Sequence, residues 1–202
     1  MTTHLRSLSL AAAMAALSMT SAPGAARAEE SPALQGRYGM TAMGTCLSSP
    51  NGFLANGVAV EPSSVSSLVN RGELIFNRDG TGSAHVLQTQ LNPPPAPAAF
   101  SGSAEITFGF THAMGRDGAV TVNMRLDTYA ATYLTGPLAG ASATFVTAAP
   151  LSDTWVWSGT VSEDRKTLLM SNGDTLSRAH FSNGFEAYVV CQFERVLSRM
   201  TR

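Results

Sequence analysis

Histidines are the side chains of this sequence best suited to proton transfer near neutral pH. His112 has the most suggestive position, because it continues the alternating apolar series of Ile106, Phe108 and Phe110 just before a turn. As a functional residue it would be a general base or a haem ligand at the mouth of a pocket. As a structural residue it would end a strand with its ring half in solvent. We favour the structural interpretation.

Two pairs of titratable residues could also carry acid–base chemistry. Arg125 and Asp127 lie on one side of a predicted strand, where they would either pair with Glu105 or, if that side faced inward, form a charged internal cluster. His85 is expected opposite Glu73 on a neighbouring strand, and such cross-strand pairs are usually solvated surface contacts. An outward position is favoured for both pairs of residues, because the apolar side of a sheet normally faces the core.

No sequence signature of an enzyme accompanies these residues. The chain contains no nucleophile elbow, no paired-histidine metal helix and no phosphate-binding loop. His112, Arg125 and Asp127 are therefore the catalytic candidates only if the protein is an enzyme of another kind. No cofactor is expected.

Aromatic residues are the strongest candidates for a binding site. Trp155 and Trp157 are two residues apart on one predicted strand, so they point the same way, with Gly159 next on that side. An apolar cavity could be lined by these tryptophans together with Tyr38, Phe108, Phe110, Met124 and Phe185. The alternative is a packed core, in which Gly159 makes room for an indole ring.

The two cysteines, Cys46 and Cys191, are predicted to form a disulfide, because an even pair in an exported chain is most simply oxidised. The bond would link residues 145 positions apart. No histidine stands near either cysteine at a ligand spacing, so no metal site is expected.

Residues 1–28 have the pattern of a secretory signal. Arg6 precedes an apolar, alanine-rich run over 7–19, and Ala26-Arg27-Ala28 provides a cleavage site with small residues. The run is shorter than the roughly 20 residues that cross a bilayer, and no second apolar stretch of that length follows. We therefore expect a single exported domain over 29–202 without a membrane span, periplasmic or secreted.

Composition argues against a nucleic-acid partner. Cleavage would remove two of the 13 basic residues and none of the 14 acidic ones, leaving a faintly acidic chain with a single lysine, Lys166. Nucleic-acid binding would require clustered positive charge. The oligomeric state stays open.

Alternation of apolar and polar residues predicts strands along most of the chain. Arg-Asp-Gly occurs at 78–80 and 116–118, where a three-residue hairpin loop with glycine in the left-handed position is expected. That loop sets Phe108 opposite Leu126 and Phe110 opposite Met124. A further hairpin over 163–166 joins Val161 to Leu168. The prolines of 91–97 are expected in an extended loop, because proline removes donors that a central strand needs.

About eight to ten strands joined by short antiparallel connections predict an all-β fold, an up-and-down β-barrel or alternatively a β-sandwich. The barrel is preferred, because a disulfide between the first and last strands would bring together the two edges that close a cylinder.

The opening Gly36-Arg37-Tyr38, the antiparallel meander and a late bond back to the first strand resemble the lipocalins and their relatives, the calycins. Tyr38 stands where lipocalins usually carry tryptophan, and Arg195 is the candidate for the late arginine that packs over that ring. The lipocalin C-terminal helix is missing. The resemblance covers about 34–197 and implies binding of a small hydrophobic ligand.

Allene-oxide-cyclase-like and dirigent-like barrels are similar in outline, and that resemblance would imply an isomerase or cyclase acting on such a ligand. A third hypothesis is a protein-interaction or inhibitor module that uses its loops. A lipocalin-like binding protein for a small apolar molecule is our first expectation.

Overall fold

A computed structural model describes residues 34–93, 99–150, 155–172, 176–182 and 186–201, without the side chains of 125–127, 145–150, 179 and 181. The strands are β1 (Gly36–Ser49), β2 (Ser64–Phe76), β3 (Thr81–Asn92), β4 (Phe100–Met114), β5 (Ala119–Tyr133), β6 (Ser142–Pro150), β7 (Trp155–Val161), β8 (Thr167–Asn172), β9 (Leu176–Phe181) and β10 (Glu186–Arg199). No helix occurs in these ranges, and hence none of a length and apolarity that would cross a membrane. The proposed signal, residues 1–28, lies outside the described residues.

All strand pairings are antiparallel, and they close into a barrel-like ring. The ring runs β1–β2–β3–β4–β5–β7–β8–β10 and returns through the pairing of β10 with β1. The predicted all-β antiparallel fold of eight to ten strands is confirmed, and the closed ring replaces the sandwich alternative.

Different short strands complete the two ends of the ring's wall, because β5 and β10 each change partner along their length. The first part of β5 pairs with β7, and its last part pairs with β6. In the same way β10 pairs first with β9 and then with β8. One end of the wall is therefore completed by β7 and β8, and the other end by β6 and β9.

The predicted hairpins have the expected register. Phe76 lies opposite Gly82 across the first Arg-Asp-Gly loop, and Phe110 lies opposite Met124 across the second. The loop glycines, Gly80 and Gly118, have φ angles of 82° and 81°, in the region that glycine enters without a steric penalty. Val161 lies opposite Leu168, as the third hairpin requires. Of the proline-rich loop, residues 94–98 lie outside the described residues.

A β-bulge separates the two halves of the β4–β5 ladder. Phe108 pairs with Leu126, but Thr107 pairs with Thr128, so Asp127 is the extra residue. Glu105 consequently lies opposite Ala130. A bulge bends its strand and increases the local twist, and here it lies next to the place where β5 changes partner from β7 to β6.

Apolar parity predicts which side chains face inward. Tyr38, Met40 and Ala42 of β1 are buried, and Val120, Val122 and Met124 of β5 are buried in the same alternating manner. The main core fills the end of the ring completed by β7 and β8. It includes Phe76, Phe110, Leu168 and Leu197.

Candidate binding site inside the ring

Most of the aromatic residues predicted to bind a ligand lie together in the packed end of the ring. Tyr38, Phe108, Phe110, Met124 and Trp157 belong to one buried cluster, and Trp155 is partly buried against it. The ring of Phe108 contacts that of Trp157 edge-on, with 5.4 Å between centroids. The Tyr38 hydroxyl donates to the Arg165 carbonyl at 2.8 Å. Phe185 lies outside the described residues.

Gly159 makes room for a neighbouring strand. A Cβ atom at this position would lie 2.0 Å from the Leu169 carbonyl oxygen and 2.7 Å from the Met170 Cα. The glycine therefore permits close approach of the β8 backbone.

His112 lies at the end of β4 beside the β2–β3 turn. Its Nε2 is 3.1 Å from the Asn77 carbonyl oxygen, and its ring meets that of Phe76 at 5.1 Å between centroids. In this arrangement the imidazole of His112 links β4 to the turn that follows β2. The side chains of Arg125 and Asp127 lie outside the described part of the structure.

The pair of His85 and Glu73 has the expected cross-strand register, but each residue contacts another partner. His85 Nε2 lies 2.7 Å from Glu105 Oε1 on the exposed outer wall. Glu73 accepts two hydrogen bonds from Arg37, at 2.7 and 2.6 Å, and these bonds lower the pKa of its carboxyl group. Exposed pairs of this kind contribute little to stability, because water and salt screen them.

The sequence analysis missed a polar layer inside the ring. Seven inward positions follow one another in register across neighbouring strands, and we call them the inner polar layer. They are Arg195, Ala42, Asn70, Gln88, Ala104, Ala131 and Ala143. Four of the seven are alanine, so the layer carries much less side-chain volume than the aromatic end.

Arg195 is the charged member of the inner polar layer. Only 5% of the residue is exposed, and its guanidinium carbon lies 4.0 Å from the Trp157 ring centroid and 4.8 Å from that of Phe193. Its Nη1 donates to Asn172 Oδ1 at 3.1 Å. Arg195 thus packs over Trp157, while Arg199 is the cross-strand neighbour of Tyr38.

Burial lowers the pKa of the Arg195 guanidinium to about 9, because desolvation disfavours the charged form. The group remains a cation at neutral pH. Within the described part of the chain no carboxylate forms a salt bridge with it.

Other polar atoms in or near the layer are buried. Asn70 Oδ1 and Trp155 Nε1 have no hydrogen-bond partner among the described residues. Gln88 Nε2 donates to the Tyr129 hydroxyl at 3.3 Å. Burial raises the pKa of Tyr129 to about 12, because it disfavours the phenolate.

A sequence signal for the inner polar layer did exist. Arg195 continues the inward series of Cys191 and Phe193, and Gln88 continues that of Ala84 and Val86. A polar residue on an otherwise apolar parity would have identified both positions.

Cys46 and Cys191 form the predicted disulfide between β1 and β10. The two residues are directly opposite in the ladder that closes the ring. Cys46 stands four residues beyond Ala42, on the same inward parity. The bond therefore lies at the end of the ring that is completed by β6 and β9.

In the described ranges, no three side chains of the histidine, cysteine, aspartate or glutamate type gather at a spacing that would hold a metal ion. The chain was also compared with family models, with curated proteins and with solved structures. None of them matches it.

Proposed function

We propose that this protein binds a small, largely apolar molecule inside the ring of strands, at the level of the inner polar layer. The observation that carries the proposal is the series of four alanines among the seven positions of that layer. An eight-stranded barrel has an interior that side chains just fill or that holds one small ligand. Alanine side chains are too short to reach its centre.

One buried polar atom beside the alanines and another on β7 support the same proposal. Nearly all buried polar groups in folded proteins have a hydrogen-bond partner. Asn70 Oδ1 and Trp155 Nε1 lack one among the described residues. A bound molecule with a polar group would provide such partners, and its apolar part would lie against the alanines and the edge of the aromatic cluster.

The proposed setting is the periplasm or the extracellular space. The disulfide between Cys46 and Cys191 is consistent with an oxidising compartment, and the signal expected over 1–28 would direct export. The expected signal and the ring of strands agree with the resemblance to the lipocalins drawn from the sequence, and on that resemblance we propose binding in preference to catalysis.

Filling the inner polar layer tests the proposal. Ala104→Phe places a large side chain at the centre of the layer, and Ser103→Phe adds the same ring on the opposite face of β4 as a matched control. We expect the wild type and the control to enhance the fluorescence of the neutral probe N-phenyl-1-naphthylamine saturably, and Ala104→Phe to lose this response without losing stability.

A packed interior would give a different result. Overpacking a filled core costs about 1–3 kcal/mol, so a fall of this size in the free energy of unfolding of Ala104→Phe would contradict the proposal. Probe binding that survives in Ala104→Phe would contradict it as well.

A further inference from the structure

We infer that the molecule bound in the ring carries one negative charge, as a carboxylate does, and that Arg195 binds this group. The inference rests on the proposed function and specifies its ligand class as an apolar molecule with an anionic head.

Among the described residues, the surroundings of Arg195 hold a cation without neutralising it. A guanidinium group has five N–H donors, and among the described residues one hydrogen bond is formed, to Asn172 Oδ1. That oxygen also accepts from the Phe193 backbone N–H at 2.8 Å. The guanidinium group also lies against the faces of the Trp157 and Phe193 rings. These faces attract a cation but accept no hydrogen bond in the plane of the guanidinium group.

An unpaired charge is costly to keep inside a protein. Buried charges are normally paired or bind an ion, and replacing them by apolar residues is often neutral or stabilising. An arginine kept at 5% exposure against two aromatic rings and one amide is therefore best explained by a partner that arrives from outside. An anion with two oxygens matches the planar fork.

The interior holds a second buried donor without an acceptor among the described residues, and the β1 partner of Arg195 has a short side chain. Trp155 lies two residues before Trp157 on the same side of β7, and its buried Nε1–H has no acceptor among the described residues. Ala42 separates Arg195 from Asn70 in register, so a short side chain stands between the guanidinium and the next polar group. An anionic group would accept from the guanidinium N–H groups that do not bond to Asn172.

The apolar part of the ligand is then expected along the alanines. Ala104 and Ala131 face each other on β4 and β5, and Ala143 follows on β6. These positions continue the inner polar layer away from Arg195, so a chain or ring attached to the head group would cover them. The ligand class that fits is an amphipathic monocarboxylate.

The experiment compares decanoate with decanol, which share a chain length and differ in the charge of the head. Displacement of N-phenyl-1-naphthylamine measures both affinities in the wild type, in Arg195→Met and in Arg71→Met, an exposed arginine on the outer face of β2. A hydrogen bond to a charged group contributes enough for roughly a tenfold to hundredfold change in affinity. We expect the wild type and Arg71→Met to prefer decanoate by at least about tenfold, and Arg195→Met to lose the preference.

Arg195→Lys distinguishes charge from shape. Lysine keeps the positive charge but lacks the planar fork, so we expect this variant to retain part of the preference for decanoate. Arg195→Met should fold, because it removes a buried charge that has no carboxylate partner among the described residues and keeps an apolar stem over Trp157.

The outcomes separate the two proposals. Equal binding of decanoate and decanol by the wild type, or a preference that survives in Arg195→Met, overturns the anion inference and leaves apolar binding in place. Binding of the probe but of neither decyl compound also overturns the anion inference alone. Failure to bind the probe and both decyl compounds overturns the proposed function, and the inference with it.

Discussion

At the scale of single residues, Tyr129 should report the burial of the interior through its titration. Its pKa is raised to about 12, whereas an unfolded tyrosine ionises near 10. Below pH 10 both states keep the proton and the difference has no effect. Between pH 10 and 12 the unfolded chain loses the proton first, so the free energy of unfolding falls with rising pH, by up to about 3 kcal/mol at the upper limit.

Tyr129→Phe should remove this part of the alkaline destabilisation. We expect urea unfolding at pH 9 and pH 11 to show a smaller loss of stability for this variant than for the wild type. Tyr38, whose pKa burial also raises, leaves a residual slope. Tyr188→Phe, next to the exposed Arg178, is the control and should keep the wild-type loss. An unchanged slope in Tyr129→Phe would contradict the buried position of the phenol.

At the scale of elements, the hairpin loops depend on a left-handed residue. Gly118 has a φ angle of 81°, and its carbonyl accepts from the Val161 N–H at 3.0 Å. Gly118→Ala should lower the free energy of unfolding by about 1–2 kcal/mol, because a Cβ atom is strained in this region. Gly118→Asn should cost less, since asparagine enters it more readily.

Urea denaturation of both variants provides the measurement. A Cβ atom at Gly118 would also lie 3.3 Å from the Val161 carbonyl oxygen, a contact that alanine and asparagine share. Equal losses for the two variants would therefore assign the cost to this contact and not to the backbone conformation.

The strands and their hairpin loops are the part of the fold that the sequence predicts best. Alternation marks the strands, and the two Arg-Asp-Gly loops fix their register, because a shift of one residue would turn Phe110 to the opposite face. The division of the wall could not be predicted, since it depends on which parts of β5 and β10 pair with which short strands. The bulge at Asp127 is equally silent in the sequence, because only the partner strand shows that a residue is extra.

The candidate site was less predictable than the fold. Aromatic residues attract attention in a sequence, but Tyr38, Phe108 and Phe110 are packed against one another in the structure. The inner polar layer joins residues from strands far apart in the chain, such as Ala42 and Arg195. Its short side chains are inconspicuous until the register places them side by side.

At the scale of the whole molecule, the ring has two unlike ends. The end completed by β7 and β8 holds the aromatic cluster, which provides apolar burial and hence stability. The inner polar layer instead carries alanine, asparagine, glutamine and one arginine, residues that contribute little to a core. A protein that needed only stability would not place Arg195 there, so this asymmetry connects the architecture to the proposed ligand.

Closure of the ring combines a ladder with a covalent bond. β1 and β10 pair from Tyr38 to Ser49, and the disulfide joins residues 145 positions apart within that ladder. In the chain-entropy model a loop of this length contributes up to about 5 kcal/mol by restricting the unfolded chain. The Cys46→Ala/Cys191→Ala variant should therefore lose about 2–5 kcal/mol of unfolding free energy and keep its β circular dichroism, because the ladder still closes the ring.

Urea unfolding of the wild type with and without dithiothreitol gives the comparison, and the double variant should be insensitive to the reductant. Unchanged stability after reduction would mean that the unfolded chain is already restricted without the bond. Loss of the β spectrum would mean that the ladder cannot hold β1 against β10 alone. Retention of both the spectrum and probe binding at reduced stability would show that the bond acts mainly on the unfolded chain and that the ladder is sufficient to shape the interior.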